Sequence, residues 1–300
     1  MQLDLIVENA RLITGDPARP SASRLGVWRG VVVGVDEELD GLGARERLDA
    51  RGRTVLAGFN DAHAHSVWFG QSRLDVDLEG GSCSLMIYCD IHTHRISPEI
   101  NPMDIVLFNR IILPDTDIAQ TMHNQLYSVG IHPWYIQDID KQWEVLKLSL
   151  QDKQVVAIGE AGLDKLSVTP MDIQQEVFRK QAVLAEQSGK PLIIHCVKAW
   201  DQLLAIRKDI NPRQDWIIHG FRGNEILASQ LLKIGIKLSF GIHFHPEAVK
   251  AAWPEALFTE TDEQPETIQT IYQKIASILA VTIEELAAQI RKNVATSFSV

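Results

Sequence analysis

Cysteine is nearly absent from the 300 residues. The three present, Cys83, Cys89 and Cys196, form no Cys-x-x-Cys pair and are too few for a disulfide framework. They read as reduced, buried thiols. Long apolar runs are missing too: nothing approaches the roughly 18 uninterrupted apolar residues that span a bilayer. The start, Met1-Gln2-Leu3-Asp4, has neither the basic residues nor the apolar stretch of a secretory signal. No membrane association and a cytoplasmic location are therefore expected, with no obligate protein partner in evidence. Positive charge is scarce. The 29 Lys and Arg against 39 Asp and Glu leave a net charge of -10, which excludes the broad basic face of non-specific nucleic-acid binders. A nucleic-acid substrate stays open, because cations held in a site are the largest charges there.

One absence is local. Residues 1–83 contain no lysine, and all nine basic residues there are arginines, whereas the remainder holds thirteen lysines and seven arginines. Isoleucine shifts at the same place, with only Ile6 and Ile13 before residue 84. The junction Leu78-Glu79-Gly80-Gly81-Ser82-Cys83-Ser84 is small and linker-like. Two pieces of separate origin, 1–83 and 84–300, are expected.

What is present is 45% hydrophobic, enough for a substantial core. In the first piece, stretches 3–7, 11–14, 26–28, 31–35 and 54–59 read as short strands of a small antiparallel β-unit. The second piece alternates apolar strands with amphipathic helices, the rhythm of a parallel sheet with crossover helices. Eight strands are expected at 86–91, 105–108, 127–131, 155–158, 192–195, 216–219, 237–240 and 257–261. Helices are clearest at 174–188 and 225–232. The link between the first two strands looks too short for a full helix, and a last helix at 283–293 leads to a short tail. Eight strands in this length match an α/β TIM (β/α)8 barrel, which can be as short as about 200 residues. The small N-terminal β appendage precedes it.

Metal-capable side chains fall at or just past the C-terminal ends of the expected strands, where such barrels place their sites. His92 and His94, two apart on an extended segment, point to one side. Glu160 follows strand four between glycines in Ile158-Gly159-Glu160-Ala161-Gly162, where a carboxylate could bridge two cations. His195 and His219 close strands five and six and would hold the second cation. Asp262 ends strand eight, which a closed barrel sets beside strand one; it is the candidate general base. Any one of these histidines alone would more often be a satisfied core residue. Four imidazoles and two carboxylates suit Zn, Mn, Fe or Ni better than Mg. Two such divalent ions would activate a water and clamp the attacking and leaving oxygens.

Residues 85–300 resemble the TatD family of metal-dependent hydrolases and deoxyribonucleases, a branch of the amidohydrolase superfamily. The resemblance rests on Asp90-Ile91-His92-Thr93-His94, Gly130-Ile131-His132-Pro133, Ile158-Gly159-Glu160-Ala161-Gly162-Leu163-Asp164, Ile193-Ile194-His195, His219-Gly220-Phe221-Arg222-Gly223 and Glu260-Thr261-Asp262. It implies the six ligands His92, His94, Glu160, His195, His219 and Asp262, catalysis through Asp262 and Glu160, and His132 in the substrate mouth. Phosphodiester hydrolysis of DNA is the implied activity, with single-stranded DNA or a small molecule as the expected substrate. After strand five the family commonly shows His-Ser-Arg, whereas this chain has His195-Cys196-Val197-Lys198. Lys198 or Arg222 is then expected to contact substrate as a point charge, without the planar fork of an arginine in that place. The family's small residue and proline after the last aspartate are replaced by Glu263-Gln264. The alternative activity is hydrolysis of a small-molecule amide, ester or lactone by the same chemistry. A second alternative is an inactive metal-binding fusion.

Residues 1–83 resemble the start of another amidohydrolase branch, in which a small β-sandwich leads into the first barrel strand through Gly58-Phe59-Asn60-Asp61-Ala62-His63-Ala64-His65. There His63 and His65 would be ligands, yet the only later ligand set is matched to His92 and His94, so a catalytically silent, loosely held fragment is expected. A third His-x-His, His243 and His245, reads as substrate contact or ordinary loop. Trp134 and Trp200 could line the mouth, with core packing at least as good a reading of Trp200. Glu260 is expected to orient a neighbour or to pair at the strand end.

Overall fold

The computed structural model describes residues 2–16, 19–28, 31–56, 87–95, 104–117 and 125–298. It divides into two compact units, Met1–Ser82 and Cys83–Val300.

Among its described residues the first unit carries seven strands: β1 (Gln2–Glu8), β2 (Arg11–Asp16), β3 (Arg19–Ala22), β4 (Leu25–Trp28), β5 (Val31–Val35), β6 (Gly43–Asp49) and β7 (Thr54–Leu56). They form a four-stranded sheet, β5-β4-β1-β6, and a three-stranded sheet, β3-β2-β7. The expected antiparallel unit is in fact mixed, because β1 pairs with β6 and β2 with β7 in parallel. The two strands missed from the sequence are both sheet edges. β3 contains Pro20, which an edge tolerates, and β6 (GARERLD) is almost wholly exposed, so main-chain pairing rather than an apolar pattern makes it a strand. Val7, Leu12, Leu25 and Val27 pack into a small core drawn from both sheets. Leu39 packs with Leu3 and Ile6 in a second cluster. Gly26 makes room for them, since a β-carbon on it would stand 2.5 Å from a Leu39 methyl and that side chain would have to shift. The orphan stretch with His63 and His65, the Gly-Gly-Ser junction and Cys83 lie outside the described residues.

The second unit is a nearly closed barrel of eight parallel strands in chain order. These are β8 (Cys89–Thr93), β9 (Ile105–Ile111), β10 (Leu126–Gly130), β11 (Val155–Asp164), β12 (Leu192–Val197), β13 (Trp216–Ile218), β14 (Ile236–Phe240) and β15 (Leu257–Thr259). All eight expected strands are present, and their continuous apolar runs match strands buried on both faces. The ring closes where Thr93 bridges Asp262, with the Asp262 amide donating to the His92 carbonyl at 2.8 Å. Asp90 stitches the same seam, accepting from the Thr261 hydroxyl at 2.6 Å and the Thr261 amide at 3.1 Å.

Helices α1 (Ile139–Ser149), α2 (Met171–Ser188), α3 (Trp200–Ile210), α4 (Glu225–Lys233) and α5 (Pro246–Ala252) follow successive strands from β10 onward. After β15 come α6 (Ile268–Leu279) and α7 (Ile283–Phe298). The last helix runs five residues past its expected end at 293, because Val294 and Phe298 continue its buried stripe. The short link expected between the first two strands falls at 96–103, outside the described residues. Helix starts follow their caps: Asp138 accepts from the Lys141 amide, Asn224 from Leu227 and Thr267 from Thr270.

Two glutamines on the buried face of α2 fix the strand ends that lead into the barrel mouth. Gln181 accepts from the Ile131 amide at 2.7 Å and donates to the Ile131 carbonyl at 3.0 Å, which holds the chain just before His132. Gln174 does the same at Asp164, at 2.7 and 3.0 Å. Buried amides satisfied in both directions hold the main chain with a defined geometry.

Candidate metal centre

Glu160 does not follow the end of its strand, as the sequence suggested. β11 continues to Asp164, and Glu160 sits inside it where the pairing with β12 shifts register between Ile158 and Ala161. Gly162 allows this: it pairs with His195 so closely that only a residue without a side chain fits. The carboxylate is 5% exposed and serves two sets of imidazoles. On one side, Oε2 lies 3.3 Å from His92 Nε2 and 3.4 Å from His94 Nε2. On the other, Oε1 lies 2.7 Å from His195 Nδ1, 2.8 Å from His219 Nε2 and 3.1 Å from His132 Nε2. Asp262 joins the first set, its Oδ1 3.6 Å from His94 Nε2 and 3.8 Å from His92 Nε2. The four histidines expected as ligands are thus gathered around Glu160, with Asp262 against two of them, and His132 stands buried in the same cluster.

The seam positions Asp262. Its φ of +54° is one that non-glycine residues rarely adopt, and bonds from its amide to His92 and from the His94 amide to its carbonyl hold it there. Its side chain, 24% exposed, is far more open than that of Glu160. Burial raises the Asp262 pKa, helped by the negative charge of Glu260. Burial works in the same direction on Glu160, but His219, His132 and His195 outweigh it and hold Glu160 well below the usual carboxylate range. The His219 imidazole is driven well above its ordinary value: burial opposes this, but the Glu160 charge and hydrogen bond overcome it. Glu160 raises His94 likewise against burial, whereas for His132 burial prevails and lowers the pKa.

The donor set fits metal ions. His92 is fully buried, and neither ring nitrogen has a hydrogen-bond partner among the described residues although Nε2 faces two carboxylates. Leaving such atoms unpaired is costly unless something else binds them. His195 and His219 each stand between two carboxylates. His195 faces Glu160 through Nδ1 and Asp164 through Nε2 at 3.0 Å, and His219 faces Glu160 through Nε2 and Glu260 through Nδ1 at 3.3 Å. A neutral imidazole donates from one nitrogen only. Donation to the outer carboxylate leaves a lone pair aimed at Glu160, the arrangement of a metal-bound histidine backed by a carboxylate. Three overlapping groups could each hold an ion: His92, His94 and Glu160; His92, His219 and Asp262; and His132, Glu160 and His195.

Several participants carried no role in the sequence reading. Asn109 Oδ1 accepts the Glu160 amide at 2.8 Å, and its Nδ2 donates to Glu160 Oε2 at 3.3 Å. Asp164 is fully buried and backs His195. Burial raises the Asp164 pKa, but bonds from the Leu166 amide, His195 and Trp134 lower it further, leaving it ionised. The Glu260 expectation of orienting a neighbour matches its bonds to His219 and, at 2.6 Å, to the Gly220 amide. Trp134 lies at the mouth, half exposed, and Trp200 packs on the core against Phe221. Arg222 and His243 line one small cavity with Asp262, and both are exposed, as are Lys198 and His245. No helix among the described residues is long and apolar enough to cross a membrane.

Residues 90–299 match the family described as TatD related DNase, which leaves the first unit outside the match. A Bacillus subtilis (strain 168) protein described as an uncharacterized metal-dependent hydrolase, YabD, is 28% identical over 266 residues, covering 80% of this chain and 98% of that protein. The human 3'-5' RNA nuclease TATDN2 is 37% identical over 117 residues, spanning 37% of this chain and 15% of that protein. The solved structure of YjjV, a TatD homologue from Escherichia coli K12, superposes with a TM-score of 0.61 at 21% identity, over 71% of this chain and 98% of that one. At that identity the likeness bears on the fold.

Proposed function

This chain belongs to the TatD related DNase family of metal-dependent hydrolases, and from that premise we propose that its barrel is a two-metal phosphodiesterase acting on single-stranded DNA. The observation that carries the proposal is the division of labour on Glu160, whose Oε2 faces His92 and His94 while Oε1 faces His195 and His219. A carboxylate used in this way would serve both members of a pair of cations. His92, His94 and Asp262 would help hold one, and His195 and His219 the other. When bound, the pair supplies an activated water and neutralises charge on the scissile group. Nitrogen-rich ligation favours Zn, Mn, Fe or Ni over Mg.

The protein's own groups do the rest. Asp262 is the most open of the two carboxylates, so it is the one that can reach an attacking water and take its proton. Arg222 shares a cavity wall with Asp262, which suits contact with a phosphate oxygen, and Lys198 is exposed three residues after His195. His132, buried beside Glu160, is placed to touch the scissile group rather than the rest of the substrate.

The test is hydrolysis of single-stranded DNA with and without EDTA, beside RNA and a panel of small esters and lactones. DNA cleavage that chelator abolishes supports the proposal, and full activity in chelator would sink it. A second reading, a small-molecule amide, ester or lactone as substrate, draws on Val197 standing where a phosphate-gripping arginine is common and on the net charge of -10. Turnover of the ester panel without DNA cleavage would select it.

A further inference from the structure

The Trp134 indole is 52% exposed at the barrel mouth, yet its Nε1 donates to Asp164 Oδ2 at 2.7 Å. That oxygen also faces His195 Nε2 at 3.0 Å, and the opposite edge of the same imidazole presents Nδ1 to Glu160 Oε1 at 2.7 Å and to His219 Nε2 at 3.3 Å. Four side chains therefore form one line, from a surface aromatic to the bridging carboxylate. Asp164 is otherwise held from behind. Its Oδ1 accepts the Leu166 amide at 2.7 Å, and Gln174 clamps its main chain. Of the donors on this carboxylate that are not metal-ligand candidates, Trp134 is the one supplied by a side chain.

We propose that Trp134 is a positioning residue for the second metal position: its indole N–H fixes the Asp164 carboxylate so that His195 keeps its proton on Nε2 and offers the Nδ1 lone pair to the cation. The inference rests on the paired-metal reading of the site. Neutral imidazole has one donor and one acceptor, so pinning the proton on Nε2 decides which atom is free to ligate. Without the indole donor, Oδ2 keeps only His195, and the Leu166 amide on Oδ1 is left to set χ2, a broad torsion with little intrinsic preference, so the orientation of the carboxylate is less closely defined. His195 then loses the definition of both its tautomer and its ring orientation. Packing alone does not explain Trp134. The residue is 52% exposed, and its ring meets the imidazoles of His132 and His195 edge-on at centroid distances of 5.7 Å and 6.3 Å.

The experiment titrates metal-free protein with Zn(II) or Co(II), following heat and the Co(II) d–d absorption, in the full-length wild type and in Trp134→Phe, Trp134→Gln, Asp164→Asn and His195→Ala, with circular dichroism to check folding. Trp134→Phe keeps an aromatic ring but no donor, whereas Trp134→Gln keeps an N–H but no ring. Two equivalents in the wild type, one of them weakened about 10-fold or more by Trp134→Phe and largely restored in Trp134→Gln, are expected, in line with the 10–100-fold losses usual when a ligand's outer partner is removed. In the Asp164→Asn background, Trp134→Phe should weaken binding no further. Wild-type affinity for both equivalents in Trp134→Phe, or a Trp134→Gln protein as weak as Trp134→Phe, overturns the proposal alone. Fewer than two equivalents in the wild type, or stoichiometry unchanged by His195→Ala, overturns the paired-metal reading and the proposal with it.

Discussion

Gly162 approaches the His195 main chain so closely that a β-carbon on it would stand 1.9 Å from the His195 carbonyl oxygen. The two residues are partners in the β11–β12 ladder, immediately after the shift that turns Glu160 inward. Gly162→Ala must push the two strands apart, and a loss of about 3 kcal/mol of stability is expected, at the upper end for overpacking. Gly43, where nothing lies within 4 Å of an added β-carbon, provides the comparison: Gly43→Ala should change stability by less than about 0.5 kcal/mol. Urea midpoints decide it. Equal midpoints for the two variants would show that the strands are not in such close contact.

Removal of the metals should invert the pH dependence of stability. In the metal-free protein burial depresses His219, but Glu160 and Glu260 overcome it and raise its pKa well above 6.5. A raised folded-state pKa contributes stability that is complete below the unfolded value of about 6.5 and is lost as pH climbs through the folded value. The Tm of chelated protein should therefore fall as pH increases above 6.5. Metal competes with those protons, so the stabilisation from added Zn(II) should grow over the same interval. Melting curves from pH 6 to 9, with and without chelator, test both slopes. A chelated protein whose Tm rises across that range contradicts the assignment.

Tyr272, on α6, accepts the Cys89 amide at 2.9 Å in the buried start of the first barrel strand. Tyr272→Phe leaves that N–H unpaired and should cost about 1–3 kcal/mol. The expected readout is a lower urea midpoint with metal stoichiometry intact. An unchanged midpoint would mean that the amide finds another acceptor.

Burial pushes the Cys89 and Cys196 thiols up to about 12. The thiolate is the reactive form, so neither should be alkylated by iodoacetamide at pH 8 in folded protein, while both should react in guanidinium. Peptide mapping by mass spectrometry reads each site separately. Rapid modification of Cys196 in the native state would show that β12 opens locally.

The barrel and its candidate ligands were legible because both leave local traces: short apolar runs, several of them followed by a histidine or carboxylate. Edge strands such as Gly43–Asp49 leave none, since their partners rather than their side chains make them strands. Glu160 was found, but its placement within β11 was not, because flanking glycines suit a chain that ends and a chain that bulges equally well. Asn109, Asp164 and Gln174 act through contacts that depend on how neighbouring strands and helices fall in space, and nothing in their spacing announces a role. Gln181 fell on the helical face that periodicity picked out, yet its use as a main-chain clamp was invisible from the pattern.

The seam at Thr93 and Asp262 joins residues 169 positions apart in the chain. His92 and His94 come from the first barrel strand and the residue just past it, and Asp262 from just past the last barrel strand, so one half of the candidate ligand set does not exist until the ring has been closed. Completion of the polypeptide is thereby written into the site: a nascent or C-terminally shortened chain holds histidines without their aspartate and presents no finished hydrolytic centre to the cell.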